Sequence, residues 1–484
     1  MSRFSRRQLL QDSLLAATAA AVSGTAPQSA PAEETSAGKS PNDRLSVAVI
    51  GVRGQGNGHL GAYSQTGKYN TEVTYICDAD EEIGRKRAEE IAKKQGRTPQ
   101  YVQDLRKVFD DPSVDVVSTA TPNHWHALVA IWAMQADKDV YVEKPVSHNV
   151  SEGRRIVETA RRRHRICQTG TQCRSMGGTI LAIEYVQSGK IGQVALARGL
   201  CYKSRGSIGP KGTYEVPASV DYNLWLGPAP MKPPARQQFH YDWHWFWDYG
   251  NGDLGNQGIH QMDIARWGLG MPCLSKSVVS YGGRFGYEDA GETANTQTII
   301  HDYGDKKLVF EVRGLPTNDL RGAKVGVIFE GSDGYVVLTS YDAGAAFDPD
   351  GKLVATFQAG GDHFGNFLGA VRSRRSEDLH ADIEQGHLSS ALCHLGNISY
   401  RLGGCIPLGE ARERLQDREQ ALADFDRFAK HLADNGVPDT VPVQFGAPLD
   451  FDPSKEQFVD NSAADALLTR EYRKPFVVPT AAEV

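Results

Sequence analysis

Short, almost entirely apolar runs alternate with longer amphipathic segments through residues 44–165. Runs without a polar face are typical of parallel strands that are buried on both sides. The segments between them have the three-to-four-residue spacing of helices. This alternation predicts a parallel sheet covered by helices, an α/β domain of the Rossmann type. The predicted strands are residues 45–50, 72–77, 114–120 and 140–142.

The pattern changes after residue 165, where strand-like runs follow one another and are joined by turns that contain Gly and Asp. Such runs predict an antiparallel sheet and indicate an α+β domain over residues 166–402. Residues 403–484 continue with a helix over 410–432 and a Pro-rich, acidic tail that we expect to wrap the surface. The predicted strands of the second sheet are residues 277–281, 297–301, 308–313, 324–330 and 335–339.

The first 43 residues have the composition of an export signal followed by a disordered tether. Arg6 and Arg7 precede a leucine- and alanine-rich stretch and small residues near Ala26, the order found in a twin-arginine signal. A frayed basic terminus with an Ala-rich helix is the alternative. The signal predicts a periplasmic or otherwise exported protein that meets the twin-arginine export machinery. Nothing after residue 30 approaches the roughly 18–20 apolar residues of a membrane span, so we expect no stable span.

Charge and cysteine usage exclude several classes of protein. The formal charge of −6 gives no basic footprint for nucleic acid. The seven cysteines are scattered without a CxxC pair, which predicts neither a disulfide framework nor a metal site. That pattern suits a protein that folds in a reducing cytoplasm and is exported folded.

A glycine-rich turn follows the first predicted strand and contains Gly51, Arg53, Gly54, Gln55 and Gly56. Glycines at such a turn let the backbone approach a pyrophosphate at a helix N-terminus. The turn departs from the dinucleotide fingerprint, since Arg53 replaces the second glycine.

The second predicted strand ends at Asp78, about 20 residues beyond the glycines. An acid there bonds the ribose hydroxyls and repels a 2′-phosphate, which favours NAD over NADP. Arg53 complicates this choice, because an arginine nearby is able to hold a phosphate. The alternative role of Asp78 is to cap the helix that begins at Glu81.

Polar residues also follow the third and fourth predicted strands. Ligands of doubly wound sheets bind at the rim where the strands end, so we expect cofactor contacts there. An ammonium and a carboxylate at the end of a buried strand are costly unless a ligand uses them, which makes Lys144 the candidate chemical centre. The residues at these two strand ends are Thr121, Asn123, His124, Glu143 and Lys144.

The densest chemistry of the second domain lies in residues 239–267. Asn256, His260 and Asp263 share one face of a predicted helix, and burying three such groups together is uncommon outside a site. The alternative is a capped helix with a hydrogen-bonded core histidine. Trp243 and His244 belong to an aromatic run that suits either a sugar ring or a folded hydrophobic loop.

Several of these motifs, in this order, resemble the Gfo/Idh/MocA family, named after glucose–fructose oxidoreductase and inositol dehydrogenase. The resemblance covers roughly residues 44–400. It rests on the glycine turn, Asp78, Thr121-Pro-Asn-His-Trp-His126, Glu143-Lys144-Pro145, Gly170-Thr-Gln172 with Arg174, and Gly258-x-His260-x-x-Asp263.

The resemblance implies a Rossmann domain, a second domain with an open, mostly antiparallel sheet, a nicotinamide cofactor between them and a carbohydrate on the sheet face. Lys144 is similar to the catalytic lysine of the family, and His260 matches its active-site histidine. Asn256 departs from the acid often found four residues before that histidine. Because Asn cannot titrate, proton transfer falls to Lys144, His260 or a neighbour such as Asp253 or His244. A homo-oligomer paired through the open sheet is expected by analogy. Residues expected to contact substrate are Gln172, Arg174, Trp243, His244, Asn256, His260 and Asp263.

The chemistry expected of this site is oxidation of a hydroxyl on a sugar, polyol or glycoside, with Lys144 removing the hydroxyl proton. An exported enzyme has no ready cofactor pool, so we expect a tightly bound NAD(H) that is recycled in each cycle. An NAD-dependent glycosidase or epimerase acting through a transient keto-sugar is one alternative. A non-catalytic, exported sugar-binding protein is the other.

Overall fold

The computed structural model describes residues 43–484. The predicted signal and nearly all of the tether lie outside these residues. The first domain is built on a six-stranded parallel sheet of order β3-β2-β1-β4-β5-β6. Its strands are β1 (Leu45–Ile50), β2 (Thr71–Cys77), β3 (Gln100–Val102), β4 (Val116–Thr119), β5 (Asp139–Val142) and β6 (Cys167–Thr169). Its helices are α1 (Gly54–Tyr63), α2 (Thr66–Tyr69), α3 (Glu81–Gln95), α4 (Arg106–Phe109), α5 (Asn123–Gln135) and α6 (Val150–Arg162).

Burial explains the continuous apolar strands of this sheet. β4 and β5 are buried at every position, because helices cover both faces. α3 begins at a side-chain cap supplied by Asp80, which accepts from the Glu82 amide. β6 pairs with β5 in parallel, so the first sheet extends past the predicted boundary at residue 165.

The second domain carries a twelve-stranded sheet in which only β7 and β10 pair in parallel among the described strands. The core path runs β14-β13-β12-β11-β7-β10-β9-β8-β16-β15. The strands are β7 (Val194–Cys201), β8 (Ser277–Gly283), β9 (Thr296–Asp302), β10 (Lys307–Arg313), β11 (Val325–Gly331), β12 (Gly334–Leu338), β13 (Ala343–Phe347), β14 (Leu353–Gln358), β15 (Gly404–Ile406), β16 (Val443–Phe445), β17 (Leu449–Asp452) and β18 (Gln457–Phe458).

Helices pack on this sheet and complete the chain. α10 and α12 cover one face, where they share a core with Phe310 and Phe329. The helices are α7 (Gly177–Gln187), α8 (Tyr222–Leu226), α9 (Gly252–Asn256), α10 (Gly258–Gly268), α11 (His363–Ser373), α12 (Ile383–Arg401), α13 (Leu408–Glu413), α14 (Glu419–Asp434) and α15 (Ser462–Asp465).

The single helix predicted over residues 410–432 is wrong, because two helices, α13 and α14, occupy this region. Buried Ala411 and Leu415 are followed by Ala421 and Phe425. The six-residue step from Leu415 to Ala421 does not fit the helical repeat, so an unbroken helix would turn the two apolar stripes apart. The break lets both stripes pack on the same face of the second sheet.

The last eighty residues connect the two domains. β15 and β16 extend the second sheet beside β8, while Phe476 and Val478 are buried in the core of the first domain. The wrapping tail predicted from the sequence is therefore integrated into both cores. Within residues 43–484, no helix has the length and apolar content that a membrane crossing needs.

Candidate active site

A cavity of about 460 Å³ lies between the two domains, at the carboxyl ends of β1, β4 and β5. This volume falls in the range of small-molecule and cofactor sites. One wall comes from the first domain and the other from residues 224–256. The polar and aromatic lining includes Arg53, Gln55, Asp78, Gln103, Thr121, Asn123, Trp125, His126, Glu143, Lys144, Trp225, His240, Tyr241, Trp243, His244 and Asn256.

The glycine turn brings backbone close to backbone at two positions. Gly51 has φ +78°, and a Cβ there would lie 2.8 Å from the Thr121 nitrogen. A Cβ on Gly56 would lie 1.7 Å from the Gly51 carbonyl oxygen. Gly56 therefore permits close packing of α1 on the turn and does not line the cavity. Gly54 lines the cavity and has open space around it.

The amino end of α1 faces the cavity without a side-chain cap, since Arg53 at the cap position accepts no backbone N–H. The free N–H groups and the helix dipole suit a pyrophosphate. Arg53 points to Asp80, with Nη2 3.3 Å from Oδ2.

Asp78 stands where β2 ends and is held by two backbone donors. Its carboxylate accepts from the Val52 amide at 2.8 Å and from the Asp80 amide at 3.0 Å. Burial raises the pKa of Asp78 to about 6. The cap of α3 is Asp80, so the capping role considered for Asp78 is wrong. Asp78 is left facing the cavity, as ribose recognition requires.

Glu143 is held in place by three side chains. Its Oε1 accepts from Gln55 at 3.2 Å, from His59 at 3.1 Å and from Gln172 at 3.2 Å. Burial opposes ionisation, but the hydrogen bond and charge of His59, followed by the charge and amide of Lys144, lower the pKa of Glu143 to about 2. Gln172, expected to contact substrate, instead helps to hold Glu143.

Lys144 reaches across to the second domain. Its Nζ donates to the main-chain carbonyl of Asn256 at 2.9 Å. Burial lowers the pKa of Lys144; nearby Glu143 opposes this shift and Lys203 adds to it. A lowered pKa increases the unprotonated fraction at neutral pH, which is the form a general base requires.

Two histidines lie near this ammonium and stay neutral. Burial lowers the pKa of both His260 and His244 to about 3, and the Lys144 charge adds to each shift. His260 packs 4.9 Å from the Tyr341 ring, and its Nδ1 has no hydrogen-bond partner in the described part of the chain. His244 donates from Nδ1 to the Tyr241 carbonyl at 2.6 Å and stacks on Trp243.

Three further residues differ from expectation. Arg174 and Asp263 form a buried bidentate ion pair, with Nε 2.8 Å from Oδ2, so neither lines the cavity. His124 donates from Nε2 to the Trp225 carbonyl at 3.1 Å and packs on Tyr249, away from the cofactor cavity. These groups support the walls of the site.

Asp253, considered as a substitute base, is engaged elsewhere. Arg205 holds both of its oxygens, at 2.6 and 2.9 Å. Lys144 is thus left as the candidate base at this end of the cavity.

The sequence marked some of the lining and missed the rest. Tyr241 and His240 belong to the aromatic run, which could have indicated them. Leu224 and Gln103 have no surrounding motif, because they reach the cavity through tertiary packing alone. Among residues 43–484, no group of three or more His, Cys, Asp or Glu side chains is arranged to hold a metal ion.

Parallel sheet, glycine turn, open helix N-terminus and terminal Asp78 together define a dinucleotide-binding Rossmann domain joined to an α/β domain. Residues 45–171 match an oxidoreductase family described by an NAD-binding Rossmann fold, and residues 206–431 match its C-terminal alpha/beta domain. The chain belongs to the Gfo/Idh/MocA family of oxidoreductases. Its first domain is an NAD-binding domain, as predicted.

Curated relatives resemble part of the chain. Levoglucosan dehydrogenase of Pseudarthrobacter phenanthrenivorans is 28% identical over 242 residues, 49% of this chain and 54% of that protein. Glycosyl hydrolase family 109 protein 2 of Shewanella sp. (strain ANA-3) is 30% identical over 208 residues, 40% of this chain and 45% of that protein. The chain matches about half the length of these relatives.

The fold also resembles solved structures. The structure of levoglucosan dehydrogenase in complex with NADH and levoglucosan has a TM-score of 0.55 and 20% identity, covering 73% of this chain and 96% of that chain. The expected fold class, a Rossmann domain with a second, mostly antiparallel open sheet, is confirmed.

Proposed function

We propose that the protein is an NAD-dependent oxidoreductase that oxidises a hydroxyl of a sugar, polyol or glycoside, with Lys144 as the base. The observation that carries this proposal is the position of Lys144, whose Nζ spans from the cofactor-binding domain to Asn256 of the second domain. The family and the levoglucosan dehydrogenase relative support this class of reaction.

The residues of the cavity have different roles in this reaction. The glycine turn and the amino end of α1 bind the pyrophosphate, and Asp78 binds the ribose. When bound, the nicotinamide accepts a hydride from a carbinol carbon. Unprotonated Lys144 accepts the proton of the hydroxyl group. His260, neutral because its pKa is about 3, offers a hydrogen bond to the same oxygen and does not compete as a cation.

The aromatic wall supports a carbohydrate substrate. Trp243 and His244 stack with ring centroids 3.6 Å apart, and both line the cavity. Such a surface packs against the apolar face of a sugar ring, while Asn256 supplies amide groups for its hydroxyls.

A redox-neutral cycle is the second candidate. In it, a ring hydroxyl would be oxidised with the hydride held on the cofactor, and the resulting ketone would acidify the neighbouring C–H. A glycosidic bond would then be eliminated and water added in its place, or a centre inverted, before the hydride returned to the ketone carbon. The likeness to a glycosyl hydrolase family 109 protein and the cofactor cavity enclosed by both domains favour it. The arginine pair near the N-terminus supports export with the cofactor bound, to the periplasm or beyond. A homo-oligomer remains part of the proposal by family analogy.

The test incubates the purified protein, loaded with NAD, with a panel of sugars, polyols and glycosides. Nicotinamide absorbance and product masses are followed together. Accumulating NADH with an oxidised product supports net oxidation; a cleaved or epimerised product without accumulating NADH supports the redox-neutral cycle. Sugar binding without either change would support the non-catalytic alternative.

A further inference from the structure

Residues 219–244, named here the strap, cross the cofactor cavity and form much of its second wall. Six strap residues line the cavity: Leu224, Trp225, His240, Tyr241, Trp243 and His244. The opposite wall includes Asp78 and the glycine turn. The position of the strap therefore decides whether the cavity is closed.

The strap is bound to the first domain beside Asp78. The Glu81 amide donates to the Ser219 carbonyl at 2.9 Å, and the Asp221 amide donates to the Ala79 carbonyl at 2.9 Å. His240 Nε2 lies 3.0 Å from the Asp80 carboxylate. These contacts join the strap to the strand end that binds the ribose.

The C-terminal tail holds the strap from outside through Arg473. Its Nε donates to the Gly227 and Ala229 carbonyls at 3.0 and 3.1 Å. Its Nη1 and Nη2 donate to the Oδ1 and carbonyl oxygens of Asn223 at 2.7 and 2.8 Å. The Arg473 amide donates to the Pro228 carbonyl at 3.2 Å. One guanidinium thus bridges both ends of a seven-residue stretch of the strap.

The tail is itself fixed to the first domain. Phe476 packs 5.4 Å from the Trp125 ring and is buried in the core of that domain. Arg162 on α6 donates to the carbonyls of Ala481 and Val484. The tail lies beyond residue 431, where the match to the family's second domain ends.

We infer that Arg473 is a positioning residue that fastens the strap over the cofactor cavity, so that the tail slows release of bound NAD(H). A guanidinium suits this role because its planar fork bonds several carbonyl oxygens at once, which a lysine ammonium cannot reproduce. The inference rests on the proposed function in one respect: the ligand enclosed is NAD(H).

The experiment measures NADH dissociation from the purified full chain by nucleotide fluorescence after adding excess NAD. Arg473→Ala and Arg473→Lys are compared with Arg412→Ala, which removes an exposed ion pair to Asp426 outside the strap. We expect dissociation about tenfold faster for Arg473→Ala, intermediate for Arg473→Lys and unchanged for Arg412→Ala.

Thermal unfolding with and without NADH separates fastening from a merely structural role. Fastening predicts that NADH raises the melting temperature less in the Arg473 variants than in the parent protein, since weaker binding stabilises less. Equal dissociation rates and equal NADH-dependent shifts would overturn the inference. Should Arg473→Ala fail to fold, Arg473→Lys decides. A parent protein that binds no NADH would overturn the proposed function as well.

Discussion

The Lys144 ammonium donates to the main-chain carbonyl of Asn256, not to its side chain, at 2.9 Å. The hydrogen bond across the domain boundary is therefore independent of the residue type at position 256. Asn256 also lines the cavity, so we expect the residue type at this position to change the electrostatics of the site without releasing Lys144.

We expect Asn256→Asp to shift the pH dependence of turnover upwards by about one unit, because a carboxylate near Lys144 favours its protonated form. Turnover requires the unprotonated amine, so activity falls as pH falls through the Lys144 pKa. The measurement is the pH profile of kcat/KM, with Asn256→Ser as the matched control. An identical profile for both variants would contradict Lys144 as the titrating base.

Two glycines of α1 make a matched pair. Gly56→Ala places a methyl group 1.7 Å from the Gly51 carbonyl, whereas Gly58→Ala meets nothing within 4 Å. We expect Gly56→Ala to abolish NADH binding or folding. Gly58→Ala should bind normally and gain about 0.5–1 kcal/mol of stability from helix propensity. Calorimetric titration measures NADH binding, and denaturant unfolding measures stability, for both variants. Normal NADH binding by Gly56→Ala would contradict the close packing of α1 on the Gly51 turn.

Asp78→Ser should weaken NAD binding about tenfold or more, because charged hydrogen bonds to the ribose are lost. The preference for NAD over NADP should narrow as well, since the charge that repels a 2′-phosphate is gone. Equilibrium titration with both nucleotides tests this, with Asp305→Ser, at an exposed turn, as the control. Unchanged selectivity would remove Asp78 from the ribose site.

Strand geometry explains which residues of this site could be predicted from the sequence. Asp78 comes directly after buried strand β2, and Lys144 lies two residues after buried strand β5. The carboxyl ends of parallel strands meet at one edge of the sheet. That rule brought them together without any tertiary information. His124 does not face the cavity as expected, because α5 begins at Asn123 and each helical residue turns about 100° from the previous one. Asn123 faces the cavity and its neighbour faces Trp225.

The sequence predicted that the polar face of α10 is buried, but not that its Asp263 binds another side chain of the protein. Asp263 pairs with Arg174, which lies 89 positions earlier in the chain. A buried carboxylate needs a partner, yet no periodicity or spacing says whether that partner is a ligand or a distant arginine. Leu224 and Gln103, which also line the cavity, were missed for the same reason.

The buried Arg174–Asp263 ion pair predicts an effect on stability. Arg174→Met removes the bidentate partner of the buried Asp263 carboxylate and leaves it with the Ser389 hydroxyl and the more distant Arg266, which should cost about 3–5 kcal/mol of unfolding free energy. The exposed Arg375–Asp378 pair is the control, and Arg375→Met should cost under about 1 kcal/mol. Denaturant unfolding measures the stability of both variants. Equal losses of unfolding free energy would contradict a larger contribution from the buried pair.

The loss should also depend on pH. Burial opposes ionisation of Asp263, but Arg174 and Arg266 hold its pKa below the ordinary value. The stability contributed by the ionised carboxylate is present above the unfolded pKa of about 4 and is lost as pH falls through the folded pKa. The difference between parent and Arg174→Met should therefore narrow under acidic conditions.

The measurement that tests the central claim is the rate of nicotinamide reduction in a single turnover by Lys144→Ala loaded with NAD. The substrate is one that the unmodified protein turns over. We expect unchanged NAD binding and a rate lower by at least about a hundredfold, the scale of a lost general base. Reduction within a few-fold of the unmodified protein, with NAD fully bound, would contradict it.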